Sequence, residues 1–412
     1  MKSKLITLLL AAGLAAPAMA QEAAPAPAAK APETAVTVKV TGYGQADFVS
    51  NQNPGQTGGF KMRRMRLAAE GDLNPDVGYR VMGEFAGTSA VLQEGWVEYK
   101  PSTTLRLKMG QYKVPFSQEA VGSAAKARLA EAPIAVVYLA PYEDQGAMVY
   151  GKLGDGWLEY ALGAFNDTGK NQDNKKSSED AVVRLVLSPG GGLSVGFDYV
   201  TGKRDDKLFA VSAPTAACLA GACTFTAKGT GPKSFLGTTF AQFREDATGK
   251  GNLSRTDINL RWSYESILLM AEALSADRSK VSSAAGGATD VNVNYLGDYV
   301  QVSWVMTGEA NAYDKTVEPN SPTSTGGWGA WELKARMENF NVDINTTNTG
   351  AFVAGTAKTM SGMSYGVNWW LNGRTRMSLD QFTYTYDQVL PVTPATTAKS
   401  ESGMVLRFQF IY

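Results

Sequence analysis

The sequence predicts an all-β protein, a 16-stranded antiparallel transmembrane β-barrel with one long loop folded inward. Three observations support this fold class. Between Phe60 and Glu119, apolar residues recur at every second position in four short segments separated by Gly, Pro, Asn or Asp. That alternation is the period of a strand with two different faces. The chain also begins with a segment that resembles an export signal, and it ends on an alternating segment that closes with Tyr412.

The first twenty residues resemble a secretory signal, with two lysines, an apolar run and a small-residue cleavage site between Ala20 and Gln21. Residues 21–35 form an Ala/Pro tract without periodicity, which predicts a flexible lead-in. Residues 36–412 carry the barrel pattern. No later segment approaches the roughly 18 unbroken apolar residues of a membrane-spanning helix. The exported chain is therefore expected to be a soluble β-protein or a closed β-barrel in a membrane.

Composition excludes several functions. Removing the two lysines of the signal from the 39 basic residues leaves 37, against 39 acidic residues. This near-balance argues against a nucleic-acid partner. The chain has no histidine, which excludes Ser-His-Asp triads, histidine-ligated zinc and a histidine general base. We expect no enzyme, no metal and no cofactor.

The two cysteines, Cys218 and Cys223, lie in the short segment CLAGAC. In an exported protein this pair predicts a local disulfide. A pair of free thiols is the alternative, and a metal site is disfavoured because no other soft ligand accompanies them.

Alternation continues along the whole chain after Val36. It predicts sixteen strands, near residues 36–49, 59–71, 77–86, 92–100, 104–111, 145–152, 156–165, 181–188, 192–200, 256–264, 267–277, 293–307, 328–346, 362–371, 374–387 and 402–412. The apolar positions change parity between Met337 and Phe340, so we interpret 328–346 as one strand with a bulge at Glu338 to Phe340. The connections mostly alternate between short and long, as in barrels with tight periplasmic turns. The closing strand is similar to the assembly signal of outer-membrane barrels, which predicts outer-membrane lipid as a partner.

Charged residues indicate which face of each strand meets water. An Arg or Lys on the lipid face costs roughly 2 to 4 kcal/mol at the bilayer midplane, so the face that carries Arg64 and Arg66 should line a water-filled lumen. Arg63 has the opposite parity and lies where its stem can reach the interface. The parity argument also turns other basic residues inward: Arg80, Arg106, Lys108, Lys334 and Arg336. Inward basic residues modestly outnumber acidic ones, which predicts a weak preference for anions.

The segment 114–142 is too long for an ordinary connection, and unstructured stretches of this length are usually functional. Most of its side chains are small or apolar, with Lys126, Arg128 and Glu131 interspersed. We expect it to pack against the inner wall, narrow the channel and present Lys126 and Arg128 to solutes. The alternatives are a loop over the barrel mouth or a contact with a neighbouring subunit. Five tryptophans are interpreted as an interfacial girdle rather than as sugar platforms: Trp157, Trp262, Trp331, Trp369 and Trp370.

Three blocks of sequence resemble the phosphate-selective porins O and P. The first holds FKMRRMRL, the strand from Glu94 to Tyr99 and GQYKVPFSQE. The second is YVQVSWVMTGEANAY with GAWELKARM, and the third is YGVNWWLNGRTRMSL with the closing strand. The resemblance implies a sixteen-stranded outer-membrane barrel, usually a homotrimer, whose lumen and inward loops bind and pass anions. It assigns the family's arginine pair to Arg63 and Arg64, and the basic residue of its inward loop to Lys126, with Arg128 close by.

Two departures weaken the expectation of phosphate specificity. The arginine-rich segment of a mid-chain loop is replaced by TAACLAGACTFTAKGTGPK, and the connection after MTGE has one lysine against three acidic residues. The leading hypothesis is thus a passive porin for small hydrophilic solutes with a weak to moderate preference for anions. The alternatives are a structural or anchoring barrel without an open pore, a membrane-barrel enzyme and a soluble exported protein.

Overall fold

The structure, a computed structural model, describes residues 36–52, 58–173, 179–204, 206–207, 232–241, 243–244, 246–344, 349–353, 355–393 and 396–412. The predicted signal peptide with its cleavage site at Ala20 and Gln21, the lead-in 21–35 and the cysteine pair Cys218 and Cys223 lie outside these residues. They remain predictions.

The alternating segments form one antiparallel sheet. Its strands are β1 (Lys39–Asn51), β2 (Gly59–Asn74), β3 (Val77–Glu84), β4 (Val91–Tyr99), β5 (Arg106–Lys113), β6 (Glu143–Leu153), β7 (Leu158–Phe165), β8 (Asp180–Gly190), β9 (Leu193–Lys203), β10 (Asp206–Lys207), β11 (Thr248–Gly249), β12 (Asn252–Tyr264), β13 (Ile267–Ser283), β14 (Ala288–Val305), β15 (Ala330–Ile344), β16 (Thr359–Asn372), β17 (Thr375–Thr393) and β18 (Thr396–Ile411). β10 and β11 are two-residue pieces that pair with each other, and β11 also pairs with β13. Over the described residues, sixteen strands therefore build the wall, as predicted.

The sheet closes on itself because β1 pairs with both β2 and β18. On the far side β9 pairs with β12, with Asp198 opposite Asp257. Closure gives the backbone N–H and C=O groups of each wall strand hydrogen-bond partners on both sides, so that no free strand edge is left in lipid. Six short turns, such as 75–76 and 373–374, lie at one end of the barrel, here called the turn end; the other end is the loop end. In bacterial barrels the short turns face the periplasm.

The faces of β14 show how sequence alternation becomes a membrane wall. Leu296, Val300 and Trp304 point outward and are about half exposed, whereas Tyr299 and Gln301 point inward and are almost completely buried. An apolar outer band of this kind matches the lipid-facing surface of a membrane barrel.

β15 is a single strand, as predicted, but the predicted bulge from Glu338 to Phe340 is wrong. β15 pairs with β14 and with β16 without a register shift, and Glu338 and Phe340 both face inward. The register of β15 stays constant, and what changes along the strand is the type of side chain on each face: the inward face becomes apolar at Phe340 and the outward face becomes polar at Asn339. Near the loop end the inward Phe340 packs on Tyr138 of the inward loop, while the outward Asn339 lies at the polar end of the strand.

The lumen contains folded chain as well as charged side chains. Residues 114–142 enter it and form two short helices, α1 (Gln118–Val121) and α2 (Ile134–Leu139). Phe116 and Val136 of this segment are completely buried, in one apolar cluster with inward side chains of the wall such as Met270. No helix in the described part of the chain is long and apolar enough to cross a membrane.

Candidate pore constriction and lumen

The inward loop, residues 114–142, is held by carboxylates of the wall. The backbone N–H of Ser117 donates to Asp198 at 2.8 Å, and that of Ile134 donates to Glu338 at 2.6 Å. The backbone N–H of Ala130 donates to Asp380 at 2.8 Å. These buried donors would be costly without partners. The loop therefore lies inside the barrel, and the alternative of a loop over the mouth does not describe it.

Cations of the wall bind the loop's carbonyl groups in the same way. Four side chains each donate to a loop carbonyl oxygen at 2.6–2.8 Å: Lys334 to Arg128, Arg336 to Glu131, Arg376 to Ala127 and Arg407 to Ala130. Charge-assisted hydrogen bonds are roughly twice as strong as neutral ones. Many inward charges of the wall thus fix the loop backbone.

This arrangement corrects two predicted site residues. Lys334 and Arg336 point inward, as their parity predicts, but both are almost completely buried. Lys334 pairs with Asp380 at 2.7 Å and Arg336 with Glu338 at 3.0 Å. The prediction that they line the water-filled pore is wrong, because the loop covers them.

Arg128 also departs from its predicted place. Its side chain is 2% exposed and pairs with Glu332 at 3.2 Å. It donates to Asn311 at 2.7 Å and to the carbonyl groups of Ala312 and Lys315. These partners lie in the segment 306–329, which enters the lumen from the turn end. Arg128 therefore joins two inward segments and is not presented to solutes.

Trp370, predicted to belong to the interfacial girdle, is completely buried on the inner side. Its indole N–H donates to Glu332 at 2.9 Å, and its ring lies 4.7 Å from the Arg376 guanidinium carbon. Trp331 and Trp369 stack on each other on the opposite face of β15 and β16.

Both members of the arginine pair point into the lumen, which corrects the parity argument for Arg63. Along β1, Gln45 lies opposite Arg64 and Ala46 lies opposite Met62. Arg63 is therefore an extra residue in β2, a β-bulge. Parity changes at a bulge, so alternation alone misplaces this side chain.

Glu131 of the inward loop accepts hydrogen bonds from Arg63 Nε at 2.6 Å and Nη2 at 2.8 Å. It also lies 3.1 Å from Arg407 and 3.9 Å from Arg64. Burial raises the pKa of Glu131, but the hydrogen bond from Arg63 and the surrounding guanidinium charges outweigh it and hold the pKa at about 2. Glu131 thereby neutralises part of the charge of the arginine pair.

The remaining predicted residues surround a cavity of about 960 Å³ at the turn end. Arg66, Arg80, Arg106, Lys108 and Lys126 all line it. Among the described residues of its lining, nine are basic and four are acidic: Lys39, Arg66, Arg80, Arg106, Lys108, Lys113, Lys126, Lys152 and Arg184 against Glu70, Glu94, Glu159 and Asp314.

Most arginines of this cavity have carboxylate partners. Arg66 pairs with Glu84 at 2.9 Å, Arg80 with Glu94 at 3.3 Å and Arg106 with Glu98 at 3.6 Å. Lys126, from the inward loop, is about one-third exposed and lies 3.6 Å from Asp314. The inward loop and the segment 306–329 therefore meet beside the cavity, where the loop contributes the positive charge of Lys126 and the segment the negative charge of Asp314.

Some residues of the lumen were not predicted. Arg376 was missed although its parity matches that of Ser378 and Asp380, so alternation could have found it. The inward course of 306–329 has no periodic signal in the sequence. Its contact with the loop, including the hydrogen bond from Tyr313 to the carbonyl group of Gln118, depends on the tertiary structure.

A closed sheet with an apolar outer face, a charged cavity and loops folded into its lumen defines an outer-membrane channel of the porin class. The class describes a passive channel rather than an enzyme. The chain belongs to the phosphate-selective porin O and P family, whose model matches residues 38–412. The suspected family is thus confirmed.

Solved structures support the fold. The chain is similar to OmpT of Vibrio cholerae in its trimer form, with 12% identity and a TM-score of 0.58, covering 92% of this chain and 100% of that chain. It is similar to the anion-selective porin of Comamonas acidovorans, with 12% identity and a TM-score of 0.56, covering 92% and 100%. It also resembles the outer-membrane channel DcaP of Acinetobacter baumannii, with 10% identity and a TM-score of 0.57, covering 93% and 99%. No curated protein sequence matches the chain.

Proposed function

We propose that this porin passes small hydrophilic solutes by diffusion, with a weak to moderate preference for anions and with phosphate among the candidates. The excess of basic over acidic residues in the turn-end cavity is the observation that carries the proposal. Charges around a water-filled passage set its selectivity through the local field. The similar fold of an anion-selective porin supports the same direction.

The preference is expected to be weak because the cations are largely balanced. The arginines of the cavity are paired with carboxylates, and Glu131 engages the arginine pair Arg63 and Arg64. A phosphate-specific site needs several donors that are free to replace the ion's hydration. The segment 306–329 adds only Lys315 against Glu309, Asp314 and Glu318.

In this proposal Lys126 is the basic residue of the constriction. It is the partly exposed cation of the inward loop, and Asp314 faces it. Arg128 supports this part of the loop from behind through its buried contacts.

Reversal potentials test the proposal. The purified full-length channel, reconstituted in a planar bilayer under a KCl gradient, should show discrete conductance steps. Its reversal potential should be shifted from zero toward the equilibrium potential of chloride, that is, to the chloride side. A potential on the potassium side would overturn the anion preference. Impermeability to both ions would favour the alternative, a structural or anchoring barrel without an open pore.

The proposal extends to the parts of the chain outside the described residues and to assembly. Residues 1–20 act as a signal peptide cleaved between Ala20 and Gln21, residues 21–35 are a lead-in to the barrel of 36–412, and Cys218 and Cys223 form a disulfide. Three copies assemble, as in the trimer form of the similar OmpT. The mass of the protein from outer-membrane fractions, measured before and after reduction, and its native mass in detergent test these points.

A further inference from the structure

Lys108 differs from the other cations of the turn-end cavity because aromatic rings surround it. Its Nζ lies 4.1 Å from the ring centroid of Trp96, 5.1 Å from that of Tyr150 and 5.6 Å from that of Tyr112. These distances are within the range of cation–π attraction. Among the ion pairs of the described residues, none includes Lys108, and the adjacent Glu98 is engaged by Arg106 and Tyr150.

The largest ring of this aromatic cage, Trp96, is held in place from two sides. Its indole N–H donates to Glu94 at 3.3 Å. Its backbone and first side-chain carbon lie against Gly110 of β5, where an added Cβ would come within 2.7 Å of Trp96 Cα and 3.0 Å of Trp96 Cβ. The φ of Gly110 is also +132°, a conformation that suits glycine. Because Gly110 has no side chain, β5 leaves room for Trp96 in this position.

The cage offers one positive charge beside a broad apolar surface. A phosphate dianion gains little there, since it needs several hydrogen-bond donors and would meet the carboxylates that balance Arg80 and Arg106. A flat organic monoanion needs only one cation for its charge, and its ring can pack on Trp96 and Tyr150 in offset or edge-to-face contact.

We propose that the cage formed by Lys108, Trp96, Tyr112 and Tyr150 is a binding subsite for aromatic monocarboxylates of the benzoate class. The carboxylate contacts the Lys108 ammonium group and the ring lies against the aromatic side chains. The cavity of about 960 Å³ is large enough for such a ligand. The inference rests on the proposed function, since it names a substrate class for the same cavity.

Block of chloride current by benzoate tests the inference. In planar bilayers with KCl on both sides, benzoate should reduce the current at a concentration about tenfold below that of acetate, with cyclohexanecarboxylate between them and phosphate no better than acetate. Lys108→Gln and Trp96→Leu should each raise the half-blocking concentration of benzoate about threefold to tenfold. Trp96→Phe keeps a ring and should restore most of the block.

Matched controls come from outside the cavity. Lys100→Gln removes a lysine that pairs with Asp72 at the turn end, and Trp262→Leu removes a tryptophan of the outer face; neither should change the block. Heat-modifiable migration on gels checks that each variant forms a barrel.

Two outcomes would overturn the inference. One is benzoate block no stronger than acetate block in a channel whose reversal potential is on the chloride side, which would leave the proposed anion preference intact. The other is benzoate block that is unchanged by both Lys108→Gln and Trp96→Leu. A reversal potential on the potassium side would instead refute the anion preference itself.

Discussion

Replacing Glu131 by Gln should destabilise the barrel through the inward loop. The side chain of Glu131 is 8% exposed and faces Arg63, Arg64 and Arg407. Its pKa is held at about 2, compared with an ordinary value of 4.5. Since one pKa unit corresponds to about 1.4 kcal/mol, the ionised carboxylate contributes about 3 kcal/mol. Removing one partner of a buried ion pair costs a similar amount, about 3 to 5 kcal/mol.

The pH dependence follows from the direction of the shift. A carboxyl with a lowered pKa stabilises the fold above the pKa of the unfolded chain, and this contribution is lost as the pH falls from about 4.5 through about 2. Wild type and Glu131→Gln should therefore differ most at neutral pH and converge in acid.

Urea unfolding of the barrel in lipid vesicles, followed by tryptophan fluorescence between pH 7 and pH 2.5, measures this difference. Glu159→Gln is the matched control, because Glu159 pairs with Lys152 where both side chains are well exposed and such pairs contribute about 0 to 1 kcal/mol. Equal losses for the two variants, or a Glu131→Gln deficit that persists unchanged at pH 2.5, would refute the reasoning.

Three further predictions concern the lumen and the wall. Lys126→Glu should move the reversal potential toward the cation side, whereas Lys170→Glu in a loop-end connection should have a much smaller effect; equal shifts would remove Lys126 from the constriction. Gly110→Ala should lower the free energy of unfolding by about 1 to 3 kcal/mol, and Gly59→Ala, with open space around it, should change it by less than about 1 kcal/mol. Burial and the charge of a neighbouring carboxylate raise the pKa of Glu119 to about 7, so acidification from pH 7.5 to pH 5 should stabilise wild type relative to Glu119→Gln; parallel pH profiles in urea unfolding would contradict this.

Much of the fold could be predicted because a membrane barrel repeats one local rule. Alternation locates strands, and the cost of charge in lipid assigns the inward face. Arg66, Arg80, Arg106 and Lys108, which this argument turns inward, line the turn-end cavity. Strand ends were less accurate: β13 extends to Ser283, beyond the predicted end at residue 277. Past the apolar band both faces become polar, so the alternation disappears while the pairing continues.

The local rule fails where a long-range contact decides the environment. Parity cannot detect the extra residue at Arg63, since a bulge depends on pairing with β1. Parity also cannot distinguish an inward side chain in water from one covered by another segment, which is why Lys334 and Arg336 were assigned to the pore surface. Arg128 was assigned there from the composition of the inward loop and the family resemblance, neither of which reveals its contact with the segment 306–329. In β15 the same limitation made apolar packing at Phe340 look like a change of register.

Side chains of the wall hold the inward loop mostly through hydrogen bonds to the loop's main chain. The peptide groups bound in this way include those of Ser117, Ala127, Ala130 and Ile134. Every amino acid except proline offers the same two peptide groups. Loop positions whose side chains face the cavity, such as Lys126, can therefore mutate without weakening the attachment of the loop to the wall. A lineage of these channels could in this way acquire new permeant ions by drift at a few positions while the scaffold stays constant.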